Sequence, residues 1–494
     1  MPLPHILQRS FSSQLKTISV QVPSKCAVHI EPSTQIKEDQ AVPNILSPSS
    51  PFDTLPVELQ VEIFLHCLPP IPTFNPGQAP LSLTCVCHAW NVLVLNTPRL
   101  WSSFGIEIPE LGLDVVSGDV QLMDTVKRWL HRSKPYPLSI RMIHIPNVRA
   151  NESHRSAQIM ALLTAEAHRW KHVEFTIPSA NIYILERVHR RDLRALESLS
   201  IRTIGLLGSR GFLKFSLEDV PWSRITLVNL QLEQTLINVD HCLKMLSHAK
   251  RLAECTFNLD CTMDRYDVPH DAVSLPSLVT LILNVQRGST HAEVSLFQFL
   301  HALHAPKLRT LHLGWSVPRK QSVRPKFSDA LSFFKRFAST LRVLTIAYLP
   351  LTEQDLLVLL YQLPNITHLT LKYPLNGPSQ DPITDNFLSA CTFVPPSFSA
   401  VSKPTAWDGL LLPKMEHCTI ECHGRAYTSA SLIAFIHSRT AIYQKTDDLS
   451  ALPATVMKSF RMFSMKGVMD AVESQVRRWR DDGMDVVIKS LAIR

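Results

Sequence analysis

One spacing of apolar residues recurs along most of this chain and constrains its fold more than any other feature. It reads Leu-x-x-Leu-x-x-Leu-x-Leu, with other apolar residues replacing some leucines. Its last two positions alternate as in a strand with one buried face, because successive strand side chains point to opposite faces. The seven occurrences are Leu193, Leu196, Leu199, Ile201; Ala249, Leu252, Cys255, Phe257; Leu275, Leu278, Leu281, Leu283; Ala305, Leu308, Leu311, Leu313; Ala338, Leu341, Leu344, Ile346; Leu363, Ile366, Leu369, Leu371; and Leu412, Met415, Cys418, Ile420.

The occurrences are separated by stretches of helical character. The third positions from Cys255 to Leu369 lie 26, 30, 33 and 25 residues apart. Helices are predicted between them, at 291–304, 327–339 and 352–363. Thr352 followed by Asp355 is a helix-start signal. The layout resembles a degenerate leucine-rich-repeat solenoid, an α/β fold in which strand, turn and helix recur and neighbouring units stack into one core.

The expected solenoid covers residues 105–440, and a C-terminal cap is expected over 441–494. Two further strands are predicted before the first occurrence, at 136–142 and 171–177. The weakest join is the interval 371–412, where two Pro-containing loops suggest a long insertion. The last segment is predicted to hold a helix and a strand, at 468–480 and 485–491.

The N-terminal part of the chain has a different character. Residues 1–50 end in a Pro/Ser-rich stretch with little to bury, so a disordered tail and linker are expected there. Order is expected to begin at Asp53 and Thr54, which are N-cap residue types. Pro56 is tolerated in a first helical turn, so the sequence predicts a helix from this point.

This first helix carries two apolar stripes, whereas a short surface helix usually needs one. Leu55, Leu59 and Ile63 form one stripe. The second stripe consists of Val57, Val61, Phe64 or Leu65, and Leu68. The Pro-rich stretch 69–80 ends the helix, and a second helix with a single stripe is predicted over 82–95. We expect one side of the first helix to pack against the second helix and the other side to meet a partner protein.

Composition and charge exclude several classes of partner. The chain is 45% hydrophobic and 19% charged, as folded proteins are. Its net charge of +8 is spread along the sequence, and the densest basic cluster, at 186–194, includes two acids, so nucleic-acid binding is not expected. The apolar runs are far shorter than the roughly 20 residues that span a bilayer. The ten cysteines include no Cys-x-x-Cys pair, which favours reduced thiols in the cytoplasm or nucleus.

Catalytic and metal-binding signals are weak. The sequence contains no Gly-x-Gly-x-x-Gly, no Gly-x-x-x-x-Gly-Lys, no His-Glu-x-x-His and no Gly-x-Ser-x-Gly. His168 and His172 have a metal-compatible spacing but no evident third ligand. The segment 417–423 holds two histidines and two cysteines, yet Cys418 occupies a core position of a repeat strand. We therefore expect no catalytic residues, no metal and no cofactor.

The segment 53–104 resembles the F-box. It reads LPVELQVEIFLHCLP and then LSLTCVCHAWNVLVLNTPRLW, with the Leu-Pro opening, Val-Cys-x-x-Trp and a closing Leu-Trp. The continuation resembles a large group of fungal F-box proteins of basidiomycete type, through TPRLWSSFGI, VKRWLHRSKPYPLSI, AHRWKHVEF and VPWSRITLVNL. This wider resemblance spans most of 53–494 and implies a small all-α module of three helices over 51–104, ahead of the repeats.

F-boxes dock on the small linker subunit of the SCF ubiquitin ligase, and through it on the cullin scaffold, while the following domain captures a target protein. The resemblance thus implies a substrate adaptor. The residues expected to face the linker subunit or to form the module are Leu55, Pro56, Leu59, Ile63, Leu68, Val86, Cys87, Trp90 and Trp101. The chain departs from the family at 69–80, where a Pro-rich loop replaces the usual short link.

Side chains between the buried repeat positions are expected to line one face of the sheet. The candidates for binding the target protein, whose identity the sequence leaves open, are Arg202, His312, His368, Lys372, His417 and Glu421. An alternative function is a protein-binding scaffold that uses the F-box-like module outside a ligase. An enzyme of unrecognised class is the third hypothesis.

Overall fold

A computed structural model gives the structure of this protein. The described residues are 51–108, 116–145, 153–205, 220–232, 237–262, 272–289, 292–317, 328–375, 381–393, 411–440, 455–465 and 470–491. The expected tail over 1–50 lies outside them. The chain forms two compact units, Met1–Leu55 and Pro56–Arg494. Of the first unit the structure describes only a turn, in which the backbone N–H of Leu55 donates to the Phe52 carbonyl at 3.1 Å.

The second unit alternates helices and strands along the chain. Its α-helices are α1 (Val57–His66), α2 (His88–Leu95), α3 (Val116–Arg132), α4 (Ser153–Ala165), α5 (Val239–Ser247), α6 (Ala292–Ala302), α7 (Ser328–Phe337), α8 (Glu353–Tyr361), α9 (Asp385–Cys391), α10 (Ser429–Thr440) and α11 (Asp470–Asp481). Short 3-10 helices cover Ser82–Cys85, Pro98–Trp101, Ala167–Arg169, Ser179–Arg187 and Arg190–Asp192. The strands are β1 (Ser103–Ile108), β2 (Leu138–His144), β3 (Trp170–Pro178), β4 (Ser198–Ile204), β5 (Leu227–Gln231), β6 (Ile237–Asn238), β7 (Glu254–Cys261), β8 (Val273–Ser274), β9 (Thr280–Gly288), β10 (Leu303–His304), β11 (Thr310–Trp315), β12 (Val343–Ala347), β13 (His368–Lys372), β14 (His417–Cys422), β15 (Ser459–Ser464) and β16 (Asp485–Ser490).

One large parallel sheet organises the fold. Its 14 strands include β6 beside β7, and the others run in the order β1-β2-β3-β4-β5-β7-β9-β11-β12-β13-β14-β15-β16. All their pairs are parallel. The short strands β8 and β10 form a separate pair. Because neighbours in the sheet are neighbours in sequence, joined mostly through helices, the architecture is compatible with a solenoid-like α/β fold.

The register confirms the predicted spacing. Third positions of successive occurrences face one another across the sheet, as Leu281 does with Cys255 and Leu311, and the fourth positions form a parallel row. All 28 positions of the seven occurrences are buried except Ala338, which is half-buried. The sheet also uses units that the leucine pattern missed. Three of these have the same spacing with aromatic or other apolar residues: Pro98, Trp101, Phe104, Ile106; Ala167, Trp170, Val173, Phe175; and Trp222, Ile225, Val228, Leu230.

A row of backbone hydrogen bonds joins residues at the starts of the strands, most of them immediately before the first strand residue. It begins where the Glu197 N–H donates to the Lys171 carbonyl and ends where the Asp485 N–H donates to the Lys458 carbonyl. Its ten bonds measure 2.7 to 3.0 Å. Their donors are Glu197, Thr226, Ala253, Val279, Arg309, Arg342, Thr367, Glu416, Lys458 and Asp485. The stacking therefore continues without a break, although the chain segments between strands differ in length.

The helices form a second layer over one face of the sheet, and the core lies between the two layers. Successive helices touch, including α5 with α6, α6 with α7 and α10 with α11. The predicted helices at 291–304, 327–339 and 352–363 are confirmed as α6, α7 and α8. The start of α8 is a capping box: Thr352 Oγ1 accepts from the Asp355 N–H at 3.2 Å, and Asp355 Oδ2 accepts from the Thr352 N–H at 3.1 Å.

Other predicted elements are confirmed as well, and the sheet continues across the long interval after β13. The predicted strands at 136–142 and 171–177 are β2 and β3, and the C-terminal helix and strand are α11 and β16. Across the interval 371–412, β13 pairs directly with β14. Within it the structure describes α9, whereas 376–380 and 394–410 lie outside the described residues.

The segment predicted as one helix over 82–95 is divided. A 3-10 turn covers Ser82–Cys85, and α2 begins only at His88. Between them Cys87 is extended, with φ −156° and ψ 169°, and its Sγ accepts a hydrogen bond from the Trp90 N–H at 3.4 Å. An N-cap residue needs a non-helical backbone, so the cap interrupts the helix. Val86 and Cys87 are exposed as a result, and the single-stripe prediction is wrong at these two positions.

The Pro-rich stretch 69–80 packs along the first strand. The Gly105 N–H donates to the Pro72 carbonyl at 2.7 Å. A Cβ at position 105 would stand 2.9 Å from Cγ2 of Ile71, so the loop approaches as closely as it does because this residue is glycine. The ring of Phe74 stacks 6.2 Å from that of Phe104. These contacts attach the loop after α1 to the edge of the sheet.

Candidate functional site

Five large apolar side chains are exposed on the N-terminal helical segment. We call them the exposed apolar set: Val57, Leu59, Ile63, Val86 and Val92, with exposed fractions of 52%, 51%, 41%, 58% and 44%. Leu59 and Ile63 are one turn apart on α1 and therefore lie on the same face. Water-exposed side chains of this size, concentrated in one segment, are typical of a protein-binding surface.

The opposite side of the same helices is packed. Phe64 of α1 is fully buried, and its ring centroid lies 4.8 Å from that of Trp90. Trp101 is also fully buried; its Nε1 donates to the Val94 carbonyl at 2.9 Å, and its ring meets Trp129 edge-on at 4.9 Å. α1 thus packs around Phe64 and exposes Leu59 and Ile63, whereas Val57, predicted in the same stripe as Phe64, is exposed as well.

The nine residues named from the F-box resemblance fall into three groups by exposure. Pro56, Leu59, Ile63, Val86 and Cys87 are exposed; Leu55, Leu68 and Trp90 are half-buried; Trp101 is buried. Pro56 is the N-cap residue of α1, with φ −51° and ψ 144°. The structure therefore separates residues that hold the segment together from residues that face water, a distinction the sequence left open.

The second candidate surface is the face of the sheet away from the helices. Five of the six residues named for it lie on three nearby strands: His312 on β11, His368 and Lys372 on β13, and His417 and Glu421 on β14. Arg202 lies on β4, four strand intervals from β11. At roughly 4.8 Å per interval, that separation is about 19 Å. The structure thus brings together five of the six residues and leaves Arg202 apart.

The two histidines on adjacent strands are stacked. The rings of His368 and His417 have centroids 4.2 Å apart and planes inclined by 26°. His417 Nδ1 lies 2.8 Å from Ser459 Oγ, and His368 Nδ1 lies 2.9 Å from Thr367 Oγ1. Burial lowers the pKa of His368, and the nearby His417 lowers it further, because two imidazolium rings in contact repel each other.

Beside the histidines stands a second group built around Glu421. Lys372 Nζ lies 3.7 Å from its Oε2, and the Tyr348 hydroxyl donates to its Oε1 at 3.3 Å. Burial, together with Glu421, raises the pKa of Tyr348 to about 12. Burial also lowers the pKa of His312, and the charge of Lys372 adds to this. Sequence reasoning missed Tyr348, which follows the end of β12 with a left-handed φ of 64°.

A groove lies at the other end of the same face, with a volume of about 480 Å³. Pro70 and Ile71 of the Pro-rich stretch form part of its wall, and the sheet contributes mainly short polar side chains from β1 to β5. Arg141 and Glu174, 3.3 Å apart, lie within it. No sequence pattern predicts this groove, because its wall comes from a loop that folds back on β1.

The residues weighed as metal ligands do not converge. Across the parts of the chain that the structure describes, no group of three or more His, Cys, Asp or Glu residues is arranged to hold a metal ion. His168 lies on a 3-10 turn and His172 on β3, while Cys418 and Cys422 are buried in the core. Among the same residues no helix combines the length and the apolar character needed to cross a bilayer.

Comparison with known sequences assigns no family. No protein-family model matches this chain, and no curated protein does so either. The two surfaces themselves and the resemblance carried by residues 53–104 remain the features that point to a function.

Proposed function

We propose that this protein is a substrate-recognition adaptor of an SCF-type ubiquitin ligase. Its F-box-like segment would bind the linker subunit, and its leucine-rich-repeat-like sheet would bind a target protein. The observation that carries the proposal is the exposure of Leu59, Ile63 and Val86, at positions where the segment resembles an F-box. These side chains need a partner to leave water, and apolar residues at the centre of an interface are its main source of affinity.

The exposed side of α1 supplies enough apolar surface to matter. Burying one fully exposed Leu or Ile side chain contributes about 1.5–3 kcal/mol. Leu59 is 51% exposed and Ile63 is 41% exposed, so each would contribute about 1 kcal/mol on docking. With Val57, Val86 and Val92 the exposed apolar set forms a credible interface core, provided that the partner is complementary in shape.

The sheet supports the second half of the proposal. Repeat arrays recruit partners on extended faces, and the open face here spans the order β1 to β16 with polar and charged side chains. Ubiquitin transfer would be carried out by other subunits, in the cytoplasm or nucleus, while this chain selects the target. The Pro-rich stretch 69–80, where the chain departs from the family, leaves the exposed side of α1 accessible, because Pro72 attaches the loop to β1 while Leu59 and Ile63 remain exposed.

Co-purification of the full chain with the linker subunit tests the proposal. We expect Leu59→Asp and Ile63→Asp each to weaken binding at least about tenfold, since a buried unpaired carboxylate is strongly unfavourable. Val120→Asp is the matched control, because Val120 is 62% exposed on α3, outside the F-box-like segment. Circular dichroism of all variants reports whether the sheet persists.

Two results would contradict the proposal. If the folded wild-type chain does not bind the linker subunit, the ligase-independent scaffold is the better description. If both aspartate variants bind as tightly as Val120→Asp, the interface lies elsewhere.

A further inference from the structure

We propose that the open face over β11 to β15 binds an acidic segment of the target protein, and that this binding tightens on acidification. The site is a histidine patch, defined as His312, His368, Lys372, His417 and Arg461 with the threonines between them. The inference deepens the proposed function, since it names the chemistry of the target, and it requires only that a target exists.

The patch is laid out in rows by the register of the sheet. One row crosses five strands and consists of His312, Thr345, Thr370, Thr419 and Arg461. It covers four strand intervals, or about 19 Å. The stacked rings of His368 and His417 belong to the adjacent row. An extended polypeptide lying across the strands would meet hydroxyl groups in the middle and basic groups on both sides.

The permanent charges of this region are already paired with one another. Lys372 lies beside Glu421, Lys458 Nζ is 2.7 Å from Glu416 Oε2, and Arg461 Nη2 is 2.8 Å from Asp485 Oδ2. His417 Nε2 also lies 4.0 Å from Glu416. The titratable and charged groups that face the three histidines are Tyr348, Lys372, Glu416, Glu421, Lys458, Arg461 and Asp485. Because the charges within these ion pairs largely cancel, the net charge of the patch depends on the histidines.

Protonation of His312 and His368 adds positive charge to a patch whose permanent ion pairs largely cancel. Burial lowers the pKa of His312 and His368, so both are largely neutral near pH 7 and gain charge below the ordinary histidine range. Two protonated rings at a 4.2 Å separation repel each other. A carboxylate placed over the pair offsets this repulsion, so anion binding and proton uptake strengthen each other.

The available donors suit carboxylates better than phosphates. Recognition of a dianionic phosphate typically uses free arginine side chains that bind in bidentate fashion. Arg461 already contacts Asp485, and Lys372 already contacts Glu421. Imidazoles and threonine hydroxyls remain, and these match the single charge of an Asp or Glu side chain. We therefore assign the occupant as an acidic, unphosphorylated polypeptide segment.

The opposite end of the same face provides an internal comparison. There Arg141 and Glu174 pair with each other, and His172 is the histidine of that groove. Burial lowers the pKa of His172, followed by the charge of Lys171. A lone histidine beside a balanced ion pair gains little attraction for an anion, so acidic segments should prefer the histidine patch.

The test uses the full chain and a fluorescent peptide of Glu-Gly-Ser repeats, with Gln-Gly-Ser and phosphoserine-Gly-Ser peptides of the same length. Fluorescence anisotropy gives the Kd of each at about pH 8 and about pH 5.5. We expect the Kd of the Glu peptide to fall about tenfold or more at the lower pH, whereas the Gln peptide shows no such change. The double variant His368→Gln/His417→Gln should lose most of this pH dependence, and His172→Gln should keep it.

Three outcomes would overturn the proposal. These are an equal pH effect in the double variant and in wild type, loss of the effect in His172→Gln, and binding of the phosphoserine peptide alone. Circular dichroism of the same preparations shows that each variant is folded, and linker-subunit binding is measured in parallel. If peptide binding fails while linker binding persists, the histidine patch is wrong and the adaptor function stands; if linker binding fails, the adaptor function is wrong.

Discussion

The guanidinium group of Arg439 donates two hydrogen bonds to the carbonyl oxygen of Cys391, from Nε at 3.1 Å and from Nη2 at 2.8 Å. Two further bonds reach the carbonyls of Leu411 and Leu412, at 2.8 and 3.1 Å. The side chain is fully buried, and burial lowers its pKa. One residue of α10 therefore joins the end of α9 to the chain that leads into β14.

Replacing this arginine should destabilise the protein strongly. Arg439→Met leaves three buried carbonyl groups without these bonds, at an expected cost of about 2–4 kcal/mol in the free energy of unfolding. Arg439→Lys should lose less, because one ammonium group replaces part of the network. Urea denaturation measures the effect, and Arg425→Met at an exposed position serves as the control. Equal midpoints for the variants at 439 and 425 would show that the network contributes nothing.

A substitution that disrupts the contact between the Pro-rich stretch and β1 should be compensated by a second substitution. The new methyl group of Gly105→Ala would overlap Cγ2 of Ile71, so we expect a loss of about 1–2 kcal/mol in unfolding free energy and faster proteolysis within 69–80. Ile71→Ala removes the clashing atom. The double variant should therefore be more stable than the sum of the two single effects predicts. Strict additivity would mean that the two residues do not touch in solution.

The cysteines of the described residues should fall into two groups that differ in their rate of alkylation. Cys67, Cys85 and Cys87 are exposed, whereas the cysteines of the sheet and its helices are buried. Burial raises the pKa of Cys261 and Cys391 to about 12, so their thiolates are scarce at neutral pH. Among the nine cysteines of the described residues, iodoacetamide should alkylate the three exposed ones first, as mapped by mass spectrometry, and all nine after denaturation.

Binding of the linker subunit should protect two of the three exposed cysteines from alkylation. Cys85 and Cys87 flank Val86 of the exposed apolar set, so bound linker should slow their alkylation at least about fivefold. Cys255, which is buried and should remain unalkylated in both samples, shows that the protein stays folded. Undiminished alkylation of Cys85 and Cys87 in a verified complex would place the interface elsewhere.

Glu166 should make the stability depend on pH. Its carboxylate lies 3.0 Å from Arg169 Nη1 and 3.2 Å from Lys134 Nζ. Burial acts to raise the pKa of Glu166, but the hydrogen bonds from Arg169 and Lys134 outweigh it, and the pKa is lowered. The stabilisation is therefore present above the pKa of an unfolded glutamate and is lost as the pH falls through the folded value.

Glu166→Gln measures that contribution. At about pH 7 the variant should lose about 0.5–1 kcal/mol, and the difference from wild type should disappear as the pH falls through the lowered pKa of Glu166. Glu174→Gln is the matched control, since the Glu174 side chain is 42% exposed beside Arg141, and it should lose less than about 0.5 kcal/mol. A difference at position 166 that is independent of pH would show that the ionised carboxylate is not the cause.

The sheet was largely predictable because its signal is local. The third and fourth positions are two residues apart, so in a strand their side chains point to the same face. Where both are apolar and buried, as with Leu281 and Leu283, the spacing predicts a strand. The unit around Val228 obeys the same spacing but begins with Trp222, and a search for leucine passes over it. A core position selects for apolar volume rather than for one residue type, so the pattern identifies fewer units than the fold contains.

The sites were less predictable, because they depend on contacts between distant parts of the chain. Leu59 and Phe64 are both apolar residues of α1, and only the position of Trp90 determines which of them is buried. Tyr348 meets Glu421 across 73 residues, through the order of three strands. The spacing placed Leu59 with Ile63 and named Lys372 and Glu421, but it did not show which side of α1 is exposed or that Tyr348 joins Glu421.

The hydrogen bond between Gly105 and Pro72 has a consequence for the protein at high concentration. A strand at the margin of a sheet offers free N–H groups to any other extended chain, which is how fibrillar aggregates grow. On β1 the N–H of Gly105 is one such group, and it donates to the Pro72 carbonyl instead. At the far margin β16 carries exposed Asp485 and Lys489, whose charges disfavour addition of a foreign strand. Both features disfavour end-to-end association of the sheet.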